Sequence, residues 1–121
     1  MDNPVNDERT IIGTLLVLAA FNILKIQDKV TELIQALSVF ISPSDFTNSF
    51  YADVFALFLG DMEIGLVPDS NAILGQLSMD NMLPDNAEEQ IKEALSRMSI
   101  DHEEVLNIAK RMRNARELKE L

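Results

Sequence analysis

An all-α fold, a five- or six-helix bundle of antiparallel helical hairpins opening on a long N-terminal helix, is what this sequence predicts from three observations. Four glycines and four prolines in 121 residues are too few breakers for the turn-dense pattern of an all-β chain. Apolar residues recur at steps of three and four, the period of a helix face, rather than at steps of two. Side chains that cap helices stand just ahead of most apolar runs.

Residues 1–10 read as a flexible acidic leader, with Thr10 the N-cap of the first helix. Residues 11–121 then make one all-helical domain, as the length suggests. The domain opens on IIGTLLVLAAFNIL, fourteen residues with hardly a polar group. A membrane-spanning helix needs about 20 such residues, and Lys25, Gln27, Asp28, Lys29 and Glu32 come directly after. The stretch is therefore assigned to a protein core, and no membrane insertion is expected. The leader sets Asp2, Asp7 and Glu8 against Arg9 alone and carries no small-residue cleavage pattern, which speaks against a secretory signal. Cysteine is absent, so a reducing, cytoplasmic setting fits.

Ile12, Leu16, Ala19, Ile23, Ile26, Val30, Leu33, Leu37 and Phe40 alternate in steps of four and three, an unbroken heptad seam. Ile11, Leu15, Leu18 and Phe21 add a second apolar side to the first half, whereas Lys25, Lys29, Glu32, Gln35 and Ser38 leave one face of the second half wet. A continuous helix to Ile41 would be about 48 Å long, far beyond the radius of gyration of about 14 Å expected for such a chain. Either a partner covers the overhang, or the helix breaks near Gln27-Asp28 with Asp28 as a fresh N-cap. The expectation is a continuous helix and a homodimer.

Further along, Ser42 or Ser44 with Pro43 marks a helix start, and Phe46, Phe50, Val54, Leu57 and Phe58 place a second helix over residues 45–59 with Gly60 as its stop. A short helix runs from Asp69 to Met79. Asp85 with Glu88 forms an N-cap box for a helix that ends at Ser99, and Asp101 with Glu104 repeats the box for the last one.

Charge is polarised. The formal net charge is −10, and Val30 to Ile91 holds ten carboxylates and no Lys or Arg. After Ala109 the sign reverses with Lys110, Arg111, Arg113, Arg116 and Lys119. An acidic centre suits a basic partner and argues against tracking a nucleic-acid backbone; the basic tail also complements a helix C-terminus. Chemistry is sparse: His102 stands between Asp101 and Glu103 with no thiol or nucleophile motif beside it, and Gly13, Gly60, Gly65 and Gly75 are too dispersed to cradle a phosphate. Asp61, Glu63 and Asp69, like Asp80, Asp85, Glu88 and Glu89, do not match the calcium-loop spacing. Met79, Met82, Met98 and Met112 read as core filler.

Leu59-Gly60, Ala72 and Pro84 fall at the Leu-Gly, small-residue and terminal-proline positions of a tetratricopeptide unit, so about a quarter of the chain resembles one such repeat. Ala56, Glu63 and Gln76 depart from its bulky and aromatic positions. The resemblance implies a helical-hairpin groove that receives a partner's helix, as in small secretion chaperones. YADVF at residues 51–55 is similar to a snippet of phage antirestriction DNA mimics, which are small, acidic and helical; the apolar content and basic tail depart from that pattern. Neither likeness assigns a family.

These features favour a non-enzymatic interaction module, a small acidic adaptor or chaperone. It would dimerise, or bind a basic or amphipathic helix of another protein, through Ile26, Val30, Leu33, Leu37 and Phe40. Their helix has a wet opposite face, so something must cover the stripe. The alternative is an acidic, nucleic-acid-mimicking inhibitor of a DNA- or RNA-binding protein, acting through Asp53, Asp61, Glu63 and Asp69. No catalytic residue, cofactor or metal is expected, and no direct contact with nucleic acid.

Overall fold

The computed structural model describes the backbone of residues 4–20, 24–66 and 69–120, and the side chains of residues 5–20, 29–66 and 69–115. Among these the elements are helical: α1 (Pro4–Ala20), α2 (Leu24–Ser38), a 3-10 turn (Pro43–Asp45), α3 (Ser49–Glu63), α4 (Ser70–Met79), α5 (Ala87–Leu95) and α6 (His102–Glu120). None of the described helices is long and apolar enough to cross a membrane.

Two expectations for the N-terminal third are corrected. From Pro4 onward the leader is helix, not a flexible arm. Proline suits a first helical position because its fixed φ is already helical and its missing N–H has no partner there. Thr10 lies inside the helix, its hydroxyl donating to the Asn6 carbonyl at 3.1 Å. Glu8 is only 1% exposed and anchors this segment: its carboxylate accepts from the Thr47 hydroxyl at 2.6 Å and from the Asn48 backbone N–H at 3.0 Å.

The long first helix is also replaced by two. Residues 21–23, between α1 and α2, lie outside the described residues, but α1 and α2 pack side by side. Leu18 shares one surface depression with Lys29 and Glu32, residues that a continuous helix would hold about 16 Å or more away along its axis. Asp28 falls within α2, so the alternative break there is not used either. The physical reason is burial: folding α2 back lets Val30, Leu33, Ile34 and Leu37 leave water within one chain, each side chain contributing about 1.5–3 kcal/mol when fully covered.

α1 is the axis of the fold, touching each of α2 to α6. Every residue from Ile11 to Leu16 is buried. Its closest neighbour is α5, and Gly13 is the reason: a Cβ there would overlap the carbonyl of Ala94, itself fully buried. Polar anchors hold the same helix. Thr14 Oγ1 accepts from the Ser99 N–H at 3.0 Å and Ser70 Oγ donates to the Leu16 carbonyl at 2.6 Å.

The remaining elements are set by local capping. Asn48 caps α3 through Tyr51 N, and Phe50, Tyr51, Val54, Phe55 and Phe58 turn inward. Gly60 does not stop α3; the helix runs to Glu63 and Gly65, at φ +80°, makes the left-handed exit. Asp69 caps α4, accepting from Asn71 N and Ala72 N. The Asp85–Glu88 box does not form: Asn86 precedes α5, and the helix ends at Leu95 rather than Ser99, where Ser99 turns to α1. Asp101 caps α6 through Glu103 N and Glu104 N, but the box is not closed, because the Glu104 carboxylate accepts from the Ser99 hydroxyl and the Asp101 N–H donates to Ser99 instead. α5 packs chiefly on α1 rather than on its sequence neighbours.

Gly13→Ala should therefore lose about 3 kcal/mol or more, because backbone rather than a pliable side chain blocks the added methyl. Gly75→Ala is the matched comparison: nothing lies within 4 Å of a Cβ at that position, so the change should gain about 0.5–1 kcal/mol by helix propensity alone. Urea unfolding midpoints of the two variants give both values.

Candidate partner-binding surface

The seam expected to meet a partner lies mostly inside the chain. Val30, Leu33 and Leu37 are 0%, 3% and 0% exposed. Phe40 is half-buried with the Lys110 ammonium 5.3 Å from its ring centroid, a cation–π contact that ties α6 to the end of α2. The side chain of Ile26 lies outside the described residues. In this fold the stripe that had to be covered is covered by α1, α3 and α6.

The four carboxylates of the alternative reading do not form one array. Asp61 and Asp69 line a single notch between α3 and α4, together with Leu57, Leu66, Ala72, Ile73 and Gln76, with a volume of about 250 Å³. Asp53 and Glu63 are not part of it. Asp69 is engaged as the α4 cap, but the Asp61 carboxylate has no hydrogen-bond or ion-pair partner among the described residues. Burial pushes the Asp61 carboxyl above its ordinary 3.8. Burial likewise raises the Tyr51 phenol, which nearby Arg9 partly offsets; its hydroxyl donates to the Gln90 carbonyl at 2.8 Å, so that group is spent on the fold.

On the other flank of α4 lies a groove walled by Leu16, Val17 and Ala20 of α1, Ser70 and Leu74 of α4, and Ile91 and Leu95 of α5, with a volume of about 290 Å³. Helix lengths produce it. α1 has 17 residues, but α4 has 10 and α5 has 9, so two short helices cannot sheathe the C-terminal half of a long one. Among the described residues that line the groove, the one hydroxyl, on Ser70, is already donated to Leu16, and no side chain is charged. Its size falls just below the usual range for small-molecule cavities. It can bury one or two apolar side chains of another chain.

Between groove and notch, α4 presents Asn71, Ala72, Gly75, Ser78 and Met79 to solvent. No charged residue occurs from Ser70 to Met79, whereas about 25% of the residues of a typical soluble domain are charged. That uncharged surface helix is the signal in the sequence that would have found the groove. A third depression, about 550 Å³, holds His102 with Lys29, Glu32, Asp101, Glu103 and the 89%-exposed Ile100. The chain matches no protein-family model, no curated protein and no solved structure.

Two measurements separate these roles. Leu37→Ala should cost about 2–5 kcal/mol of folding stability with no change of mass by light scattering, since the side chain serves the chain's own core. Asp61→Asn should raise the melting temperature at pH 7. The raised carboxyl favours folding in its protonated form, so its contribution is present below pH 3.8 and is lost as pH rises through the higher folded value. The two proteins should accordingly melt together in acid and separate toward neutrality.

Proposed function

We propose that this protein is a non-enzymatic adaptor or chaperone that holds an amphipathic helix of a partner protein in the groove between α1, α4 and α5. One observation carries the reading: three helices build a slot whose described lining is apolar except for the Ser70 hydroxyl, and that group is already bonded within the chain. Helix-in-groove recognition needs such a surface, filled by partner side chains one turn apart. The uncharged face of α4 lets a partner backbone come close without stripping water from a charge. A nucleic-acid mimic would draw on an array of carboxylates, and here two of the four converge with one of them committed to capping. The absence of cysteine suits work in the cytoplasm.

The chain contains no tryptophan, so a tryptophan in a probe peptide reports its own burial. An 18-residue Leu/Lys amphipathic peptide with one Trp on its apolar face should show a blue-shifted, saturable emission with the wild-type protein. Leu95→Glu alters a side chain already 38% exposed and should leave the far-UV spectrum unchanged while weakening the peptide about tenfold or more. Equal affinity in the two proteins would remove the groove from the function.

A further inference from the structure

Resting on that reading, we propose that the bound helix is cationic and that one of its Lys or Arg side chains seats in the notch between α3 and α4, against the Asp61 carboxylate. The notch has the chemistry for it: Leu57, Leu66, Ala72 and Ile73 offer apolar walls for an aliphatic stem, and Asp61 meets the charged head. Asp69 accepts from two backbone N–H groups of α4, so Asp61 is the acid left to answer a cation. A space of about 250 Å³ takes one long side chain and little more.

Among the described residues no ion pair reaches Asp61. Val30 to Ile91, which includes all of α3 and α4, contains neither Lys nor Arg. At the basic end of the chain, Lys110 lies over Phe40 and Arg111 is bonded to Asp7 at 3.0 Å, so those two are occupied within one molecule. A partly desolvated acid with no partner among the described residues is disfavoured in its charged form, and groups of that kind concentrate where a ligand uses them. A positive partner helix would relieve that penalty on binding.

Geometry then fixes a register. Groove and notch flank α4, whose diameter with side chains is about 10–12 Å. A partner helix crossing it advances about 10.8 Å in two turns. The apolar anchor in the groove and the cation in the notch should therefore stand seven or eight residues apart in the partner.

The Trp-bearing Leu/Lys peptide and a counterpart with every Lys replaced by Glu are titrated against wild type, Asp61→Asn, Asp53→Asn and Leu95→Glu, with light scattering of each complex. The expected result is binding of the Lys peptide alone, weakened about tenfold by Asp61→Asn and by less than about twofold by Asp53→Asn, which removes the same charge outside the notch. Asp61→Asn should fold at least as well as wild type, which its far-UV spectrum and melting temperature check, so that loss of binding is read apart from loss of structure. Equal weakening by the Asp53 and Asp61 variants would mean that net charge alone attracts the peptide and would overturn the proposal. An Asp61 variant that binds like wild type while Leu95→Glu does not would sink the notch and leave the groove standing. A Leu95 variant that binds like wild type while Asp61→Asn does not would do the reverse. A protein that pairs with itself and excludes the peptide would assign the surface to a second copy, again overturning it.

Discussion

Close approach of α1 and α5 at Gly13, where the Ala94 backbone occupies the space a side chain would fill, allows a single helix to be touched by all five others. With the residues from Ile11 to Leu16 enclosed, α1 becomes the surface on which the rest of the chain is laid. α2 turns its stripe toward it, α3 delivers a cluster of aromatic side chains, and α4 and α6 close the sides. Hydroxyl groups of Thr14 and Ser70 fix the connection between α5 and α6 at Ser99 and the start of α4, so the placement does not rest on non-directional burial alone. The uncovered remainder has the same origin: the C-terminal half of α1 outruns its two short neighbours, and the groove is left beside it.

Acidic residues in this protein divide by duty. Glu8, Asp69 and Asp101 each accept backbone N–H groups at the start of a helix or the turn before it, where negative charge meets orphan donors and the positive end of the helix dipole. Such carboxylates stabilise the fold. Asp61 does none of this and sits in a notch whose walls disfavour its charge. The difference separates two meanings of the same composition: some acids serve the fold as caps, and Asp61 has no such duty among the described residues. The apolar groove and this acid lie on opposite flanks of an uncharged helix, which gives the proposed partner both an anchor and a direction.

Much of the fold was legible in the residues. Helix periodicity gave the all-α class, the start of the long apolar run, Ile11 to Leu16, gave the buried centre, and Asp69 and Asp101 marked two helix starts because a carboxylate ahead of an apolar run has a local job that needs no distant contact. Where expectation failed, a distant contact had intervened. Pro4 to Thr10 looked solvent-exposed until Glu8 met Thr47 and Asn48 nearly forty residues away. The Asp85–Glu88 box does not form at the start of α5, whose close packing is with α1 at Gly13.

The sequence by itself determined that a continuous apolar stripe from Val30 to Leu37 had to be shielded by polypeptide, since period and polarity are local properties. Tertiary structure alone decided which polypeptide. A heptad seam is satisfied equally by a second chain or by a returning helix, and the packing of α2 against α1, α3 and α6 is what chooses here. For the same reason the groove was out of reach of the sequence: it is made of residues from three helices whose relative lengths and crossing points exist only once the chain has folded.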